Sequence, residues 1–329
     1  MSVDPRAVDV VGIDVGGTKI AAGAMVRGEL AEPHVIATPQ TGSDDVIAAL
    51  EKAVEAVRPP NLAAVGIGVP SVIEWATGRV RTSVNIPLAD VPLRRVLEER
   101  LGVPVFVDND ANVAALAEAS EGAEIVVRHL VILTVGTGVG GGIVLNHRPY
   151  RGATGAAAEL GHTLVAADLT TGAPPASLWP PHPGSLEVEA SGRALGRLAQ
   201  AAAAEHPESE LGRRAAARGN VDGHDAVQAA LAGDEVARAI VTVLAERLGV
   251  GIANVITTFE PDVVAIGGGV AENAGALLLD PAVATARRFL IPGVGDRTEI
   301  RLARYGNDAG VRGAALLAAH ELDADHTRG

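Results

Sequence analysis

The chain has 329 residues, 40 acidic against 27 basic side chains, a net charge of −13 and no cysteine. That length accommodates two domains with separate cores, the charge repels nucleic acid and anionic membrane surfaces, and disulfides and thiolate metal sites are excluded. Residues 1–10 lack a signal-peptide layout and no apolar run in the sequence approaches the ~20 residues of a membrane-spanning helix, so a cytoplasmic protein with no membrane or nucleic-acid partner is expected.

Strand patterns at 8–14 and 18–26 flank a first glycine turn, Gly16-Gly17-Thr18-Lys19. An Ala-rich helix is expected over 44–57 and a buried strand over 63–69. After a loop containing Trp75, Asn85 and Pro87 come a helix over 91–101, a strand over 104–107 and a helix over 111–119. This order predicts an α/β domain with a mixed sheet. A second hairpin pattern, 130–145, carries Gly136, Thr137 and Gly138. Helices follow near 192–204 and 225–231, then a long apolar-periodic stretch at 235–258, a strand at 263–266, the turn Gly267-Gly268-Gly269, and an Ala-rich helix at 308–319. Pro174, Pro175, Pro180, Pro181 and Pro183 forbid a helix over 173–183.

The two hairpins share a layout of apolar strand, glycine cluster and apolar strand. Glycine brings bare N–H groups close to a ligand, which makes such turns seats for phosphate oxygens. Gly136, Gly138 and Gly141 also satisfy G-x-G-x-x-G, with Glu159 at about the ~20-residue spacing of a ribose-binding acid. The dinucleotide reading fails because its last glycine must open a helix, whereas Ile143-Val144-Leu145 reads as strand. No G-x-x-x-x-G-K-[ST] run is present, which excludes a P-loop.

Several polar residues have both a plain and a functional reading. Asp14 ends a strand beside the first glycine turn, where a carboxylate can hold Mg²⁺ directly or through water. Asn109-Asp110 ahead of an Ala-rich helix reads as an N-cap when taken alone. Glu159 and His162 at i, i+3 read as a surface pair, and Glu187 as a solvated acid at a helix start.

Six motifs in order give these residues a common context: DVGGTK at 14–19, VDNDAN at 107–112, LTVGTGVGGG at 133–142, RGATGAAAELGH at 151–162, GSLEVEASG at 184–192 and PDVVAIGGGV at 261–270. Together they resemble the ROK family of sugar kinases and repressors, its bacterial glucokinases in particular, over about Val8 to about Ala319. The resemblance implies two actin-like or hexokinase-like (ribonuclease H-like) α/β domains with a cleft between them. Their expected bounds are 1–119, completed by the C-terminal helix 308–329, and 120–307, which carries the second phosphate turn, the sugar-binding segment and an adenosine-side GGG turn. It further implies ATP-dependent phosphorylation of a hexose, glucose to glucose 6-phosphate, with ATP and Mg²⁺ as cofactors and a homodimer as the assembly.

Residue by residue, the resemblance makes Asp110 the general base, since a sugar hydroxyl needs a carboxylate to take its proton. It makes Asn85, Asn109, Asp110, Glu159, His162 and Glu187 the sugar-hydroxyl ligands. Gly16, Gly17, Thr18, Lys19, Thr137, Gly138, Gly267 and Gly268 become the nucleotide-binding residues, and Asp14 the Mg²⁺ ligand. Asp108, the competing carboxylate, is expected to point into the packing of its strand.

The chain departs from the family at the cysteines that hold a structural zinc. Their places are Leu178, Pro180 and Ser185, so no structural zinc is expected, and His162 with His182 lacks the required ligand count. Ala158 stands where the family has glycine, and Val69-Pro70-Ser71 is a further departure on the sugar side. A kinase for mannose, an N-acetylhexosamine or another aminosugar therefore stays open, as does polyphosphate in place of ATP. A non-catalytic ROK regulator is the other alternative. Only about seven residues precede the first expected strand, so a DNA-binding helix-turn-helix ahead of the sugar domain is not expected.

Overall fold

The computed structural model describes residues 6–83, 85–173 and 175–326; Pro174 of the proline-rich loop lies outside them. In chain order the first elements are β1 (Asp9–Val15), β2 (Lys19–Val26), β3 (Glu29–Leu30), β4 (His34–Ala37), α1 (Ser43–Val57), β5 (Leu62–Val69), β6 (Ser71–Glu74) and β7 (Arg79–Ser83). Then come α2 (Leu93–Leu101), β8 (Val105–Asn109), α3 (Asp110–Glu118), β9 (Ser120–Glu121), β10 (Glu124–Ile125), β11 (His129–Val135), β12 (Val139–Leu145) and β13 (Arg148–Pro149). The remainder is α4 (Leu186–Ala190), α5 (Gly192–Glu205), α6 (Glu210–Arg218), α7 (Gly223–Leu231), α8 (Glu235–Phe259), β14 (Val263–Gly267), α9 (Gly269–Ala274), α10 (Ala276–Phe289), β15 (Glu299–Leu302) and α11 (Ala309–His326).

The chain divides into two compact units. The first contains Met1–Leu130, Gly142–Ala158 and Asn307–Gly329, and the second Val131–Gly141 and Glu159–Gly306. The expected bound at 119/120 leaves out two stretches that fold with the first unit here, 120–130 and 142–158. The short strands β9 and β13 in those stretches pack on α3, which draws them to that side.

In the first unit the sheet order is β3-β2-β1-β5-β8, with β4 also on β2. β1 is antiparallel to β2 and parallel to β5, and β5 is parallel to β8, so the sheet is mixed. Successive side chains on a strand alternate between faces, and both faces are covered here. Val11, Ile13 and Val15, with Val65, Ile67 and Val69, join Leu50 of α1 and Leu97 of α2 in one buried cluster. Gly12 and Gly66 take the other face, against α11: a Cβ on Gly12 would overlap the carbonyl oxygen of Val311, and one on Gly66 that of Ala314.

The second sheet runs β13-β12-β11-β14-β15, with β15 parallel to β14. Its helices start where the sequence supplies caps. Ser191, Ser209 and Asp234 accept backbone N–H groups at the starts of α5, α6 and α8, and Asp222 forms a capping box with Asp225 at α7. By length and composition α8 could cross a membrane, a property the raw apolar runs do not reveal. Its Leu244, Leu248, Ile252 and Ile256 are buried, and the helix packs on α10, α7, α5 and α4.

Candidate functional site

In the first unit, β1 delivers Asp14 to the first glycine turn. The N–H of Gly16 donates to the carbonyl of Lys19 at 2.8 Å, closing the turn. Two polar residues not singled out in the sequence tie it down from outside: Thr38 Oγ1 donates to the Gly16 carbonyl and Gln40 Nε2 to the Gly17 carbonyl, each at 2.7 Å. With those carbonyls occupied, the remaining N–H groups are what the turn can offer an anion. Asn85 lies beside it, since a Cβ on Gly17 would sit 3.5 Å from the Asn85 Cβ.

The start of α3 separates two roles that the sequence leaves together. The helix cap is Asn109, whose Oδ1 accepts the N–H of Ala111 at 2.9 Å and of Asn112 at 3.4 Å, while its Nδ2 donates to the Ser71 carbonyl at 3.3 Å. Asp110 is the first helical residue, half-buried, with Oδ1 accepting the Ala111 N–H at 2.9 Å. A carboxylate in the first helical turn is stabilised by the partial positive charge there. Asp108, by contrast, is buried and paired with Arg151.

Asp14 and Asp110 act on one another. Burial first and the Asp110 charge second push the Asp14 carboxyl up from 3.8 to about 6, with Lys19 opposing both. The burial comes partly from α11, because a Cβ on Gly310 would overlap the Asp14 carboxyl carbon. Two mutually repelling carboxylates beside a glycine turn are a donor set that suits Mg²⁺, which takes one or two carboxylates together with phosphate oxygens.

A stability effect follows. An acid whose folded pKa is raised contributes most below its unfolded value, near 3.8, and that contribution is lost as pH rises through about 6. The ionised Asp14 then costs on the order of 1–3 kcal/mol in the nucleotide-free protein, partial exposure reducing the figure. Asp14→Asn is expected to raise Tm clearly at pH 8 and far less at pH 4, close to the unfolded pKa. An equal change at both pH values would show that Asp14 is not strained by its charge.

In the second unit the turn between β11 and β12 holds Gly136, Thr137 and Gly138. Gly136 N–H donates to the Gly138 carbonyl at 3.0 Å, and Gly192 N–H, opening α5, to the Gly136 carbonyl at 2.8 Å. Glu187 is not a freely solvated acid: its Oε2 accepts the Val139 N–H at 2.9 Å, and a Cβ on Gly138 would overlap that oxygen. Glu159 precedes a single 3₁₀ turn that His162 ends, with Oε2 and Nε2 3.8 Å apart. The Nδ1 of His162 is buried with no hydrogen-bond partner.

A cavity of about 710 Å³ opens beside this turn, lined among others by Thr137, Arg193, His224, Val270 and Asn273. Five glycines, Gly136, Gly192, Gly196, Gly223 and Gly269, also line it, leaving room for a flat group. Of the glycines at 267–269 it is Gly269 that reaches this cavity. Gly267 ends the buried strand β14 against Ala303 and Ile132, and Gly268, at φ 87°, packs against the backbone of Val135.

The model of the ROK family matches residues 10–321. The chain belongs to the ROK family. It is similar to the glucokinase of Halalkalibacterium halodurans, 37% identical over 319 residues covering 94% of this chain and 95% of that one. It is also similar to the crystal structure of a ROK family glucokinase from Streptomyces griseus in complex with glucose and AMPPNP, at 35% identity and TM-score 0.74, covering 94% and 99% of the two chains. The ROK hexokinase from Thermus thermophilus gives 38% identity and TM-score 0.78, covering 96% and 100%.

Of the three places where the resemblance puts zinc ligands, Leu178 and Pro180 carry apolar side chains and Ser185 is engaged in a helix cap. Ser185 is fully buried and caps α4, Leu178 is 96% exposed, and Ser177 Oγ bridges the Trp179 carbonyl at 2.7 Å and His182 Nδ1 at 2.8 Å. The Gly184 carbonyl accepts the N–H groups of Val165 and Ala166, fastening the base of the loop. Ala158 adopts φ 68°, so the residue before Glu159 keeps a conformation that favours glycine. The cavity-lining residues at the starts of α5 and α7, Arg193 and His224 among them, escaped the sequence reading because their helices carry no phosphate-turn signature.

Proposed function

We propose that this chain transfers the γ-phosphoryl group of ATP to the primary hydroxyl of a hexose, with glucose giving glucose 6-phosphate and ADP. The chain is a sugar kinase, a phosphotransferase to an alcohol group. The observation that carries the mechanism is the start of α3, where Asn109 caps the helix and the Asp110 carboxylate faces the field of Asp14. Asp110 accepts the hydroxyl proton as the oxygen attacks phosphorus, and the bond to the β,γ-bridging oxygen breaks with ADP as leaving group. Asn85, Asn109, Glu159, His162 and Glu187 hold the sugar hydroxyls, Val139 N–H fixing the Glu187 carboxylate. Gly16, Gly17, Thr18, Lys19, Thr137 and Gly138 receive the phosphates, and the 710 Å³ cavity takes the nucleoside. Mg²⁺, held by Asp14, would neutralise charge developing on the phosphates.

ATP supply places such an enzyme in the cytoplasm. A coupled assay across glucose, mannose, N-acetylglucosamine and N-acetylmannosamine, each with ATP or polyphosphate, tests the reading. The highest kcat/KM is expected for glucose with ATP. A higher value for an N-acetylhexosamine would move the substrate assignment while keeping the chemistry, and no phosphorylation of any hexose would remove the function.

A further inference from the structure

Asp108 is a buried carboxylate that phosphoryl transfer does not use. Only 2% exposed, it stands two residues before Asp110 at the end of β8. Its Oδ1 accepts the Asn109 N–H at 2.8 Å and Asn112 Nδ2 at 2.9 Å, so one oxygen grips both the cap residue and the first turn of α3. Its Oδ2 accepts Arg151 Nε at 2.6 Å. A carboxylate this deep is costly unless a cation pairs with it, and its grip on α3 holds only while it stays in place.

Arg151 is itself held from three sides. Its Nη2 donates to Glu321 Oε1 of α11 at 3.1 Å, and its guanidinium lies 3.3 Å from the ring centroid of Trp75, in the turn between β6 and β7. Arg94 Nη2 donates to the Trp75 carbonyl at 3.0 Å, fixing that turn in its own place. One planar cation therefore joins the β6–β7 turn, the C-terminal helix and the strand end that launches α3. Every residue named belongs to the first unit.

We propose that Arg151 is a positioning residue for the base, acting through Asp108: it neutralises and orients the buried carboxylate that fixes Asn109 and Asn112, and so sets where Asp110 stands. The inference rests on Asp110 being the base. Arg151 is not among the residues proposed to hold sugar or nucleotide. Its loss displaces Asp110 without removing a substrate contact, and the effect belongs in kcat.

The test is a kinetic double-mutant cycle. Arg151→Met, which keeps an apolar stem without the cation, is expected to lower kcat by about 10- to 100-fold with both KM values within about threefold. Arg151→Lys, which restores the charge without the planar fork, should recover part of the loss. In an Asp110→Asn background the Arg151→Met change should alter kcat by less than about threefold, since the base it positions is gone. Should Arg151→Met fail to fold, the Asp108→Asn, Arg151→Met pair, which removes charge and counter-charge together, enters the cycle instead. An Arg151 effect that persists in full in the Asp110→Asn background overturns the positioning role alone. A fall in melting temperature with kcat unchanged, or a loss confined to KM, does the same. Full activity in Asp110→Asn itself would instead remove the base assignment, and this inference with it.

Discussion

Asp110→Asn is expected to lower kcat by about 10²–10⁴-fold, the usual worth of a general base, and to leave sugar binding and the fold nearly as they were. The amide is isosteric, and its oxygen still accepts the Ala111 N–H that Asp110 Oδ1 accepts at 2.9 Å. Helix capping is unaffected because Asn109 performs it. On the proposed mechanism, the amide loses the ability to take a proton from the attacking hydroxyl. A second readout follows from Asp14, whose pKa is raised in part by the Asp110 charge. Removing that charge should bring the Asp14 carboxyl down toward its ordinary value, visible by NMR titration of its side chain. A kcat within about tenfold of the parent would make Asp110 a first-turn acid and take it out of the chemistry.

The fold class was legible because its signals are local. β1 and β2 around Gly16-Gly17 and β11 and β12 around Gly136–Gly138 follow from apolar runs broken at glycine, and the mixed α/β class follows from their order with the intervening helices. Other elements gave weaker signals. α10 carries Pro281 in its interior, which argues against a helix until packing on α8 overrides it. The two-residue strands have no periodicity to read. At the candidate site the motif residues could be named, but not their division of labour. Nothing in the string Asp108-Asn109-Asp110 says that the first grips the helix, the second caps it and the third stands at its opening. Thr38 and Gln40 were invisible for a related reason: they reach the first glycine turn through the pairing of β4 with β2, a long-range contact with no sequence pattern of its own.

The second large effect concerns Gly66, and through it the site. Gly66→Ala is expected to destabilise the protein by about 3 kcal/mol or more, a severe overpacking value, although alanine is the smallest possible addition and the β5 conformation accepts it. The new Cβ would overlap the carbonyl oxygen of Ala314, an atom fixed in the helical hydrogen bonding of α11. No rotamer relieves this, so the helix must lift from the sheet. The same close approach recurs along α11, where Gly12 meets Val311 and a Cβ on Gly313 would overlap the Val113 carbonyl of α3, so a shift at one point disturbs the others. Gly269→Ala, in a helix start with open space around the missing Cβ, is the control and should change stability by less than about 1 kcal/mol. Urea midpoints at constant m-value separate the two outcomes. Lifting α11 also draws Gly310 away from Asp14, so any folded Gly66→Ala protein should show the Asp14 carboxyl returning from about 6 toward 3.8 as water reaches it. Equal urea midpoints for Gly66→Ala and the control would mean that α11 accommodates the methyl group, and the glycine-mediated seating of this helix would have to be abandoned as the source of Asp14's burial.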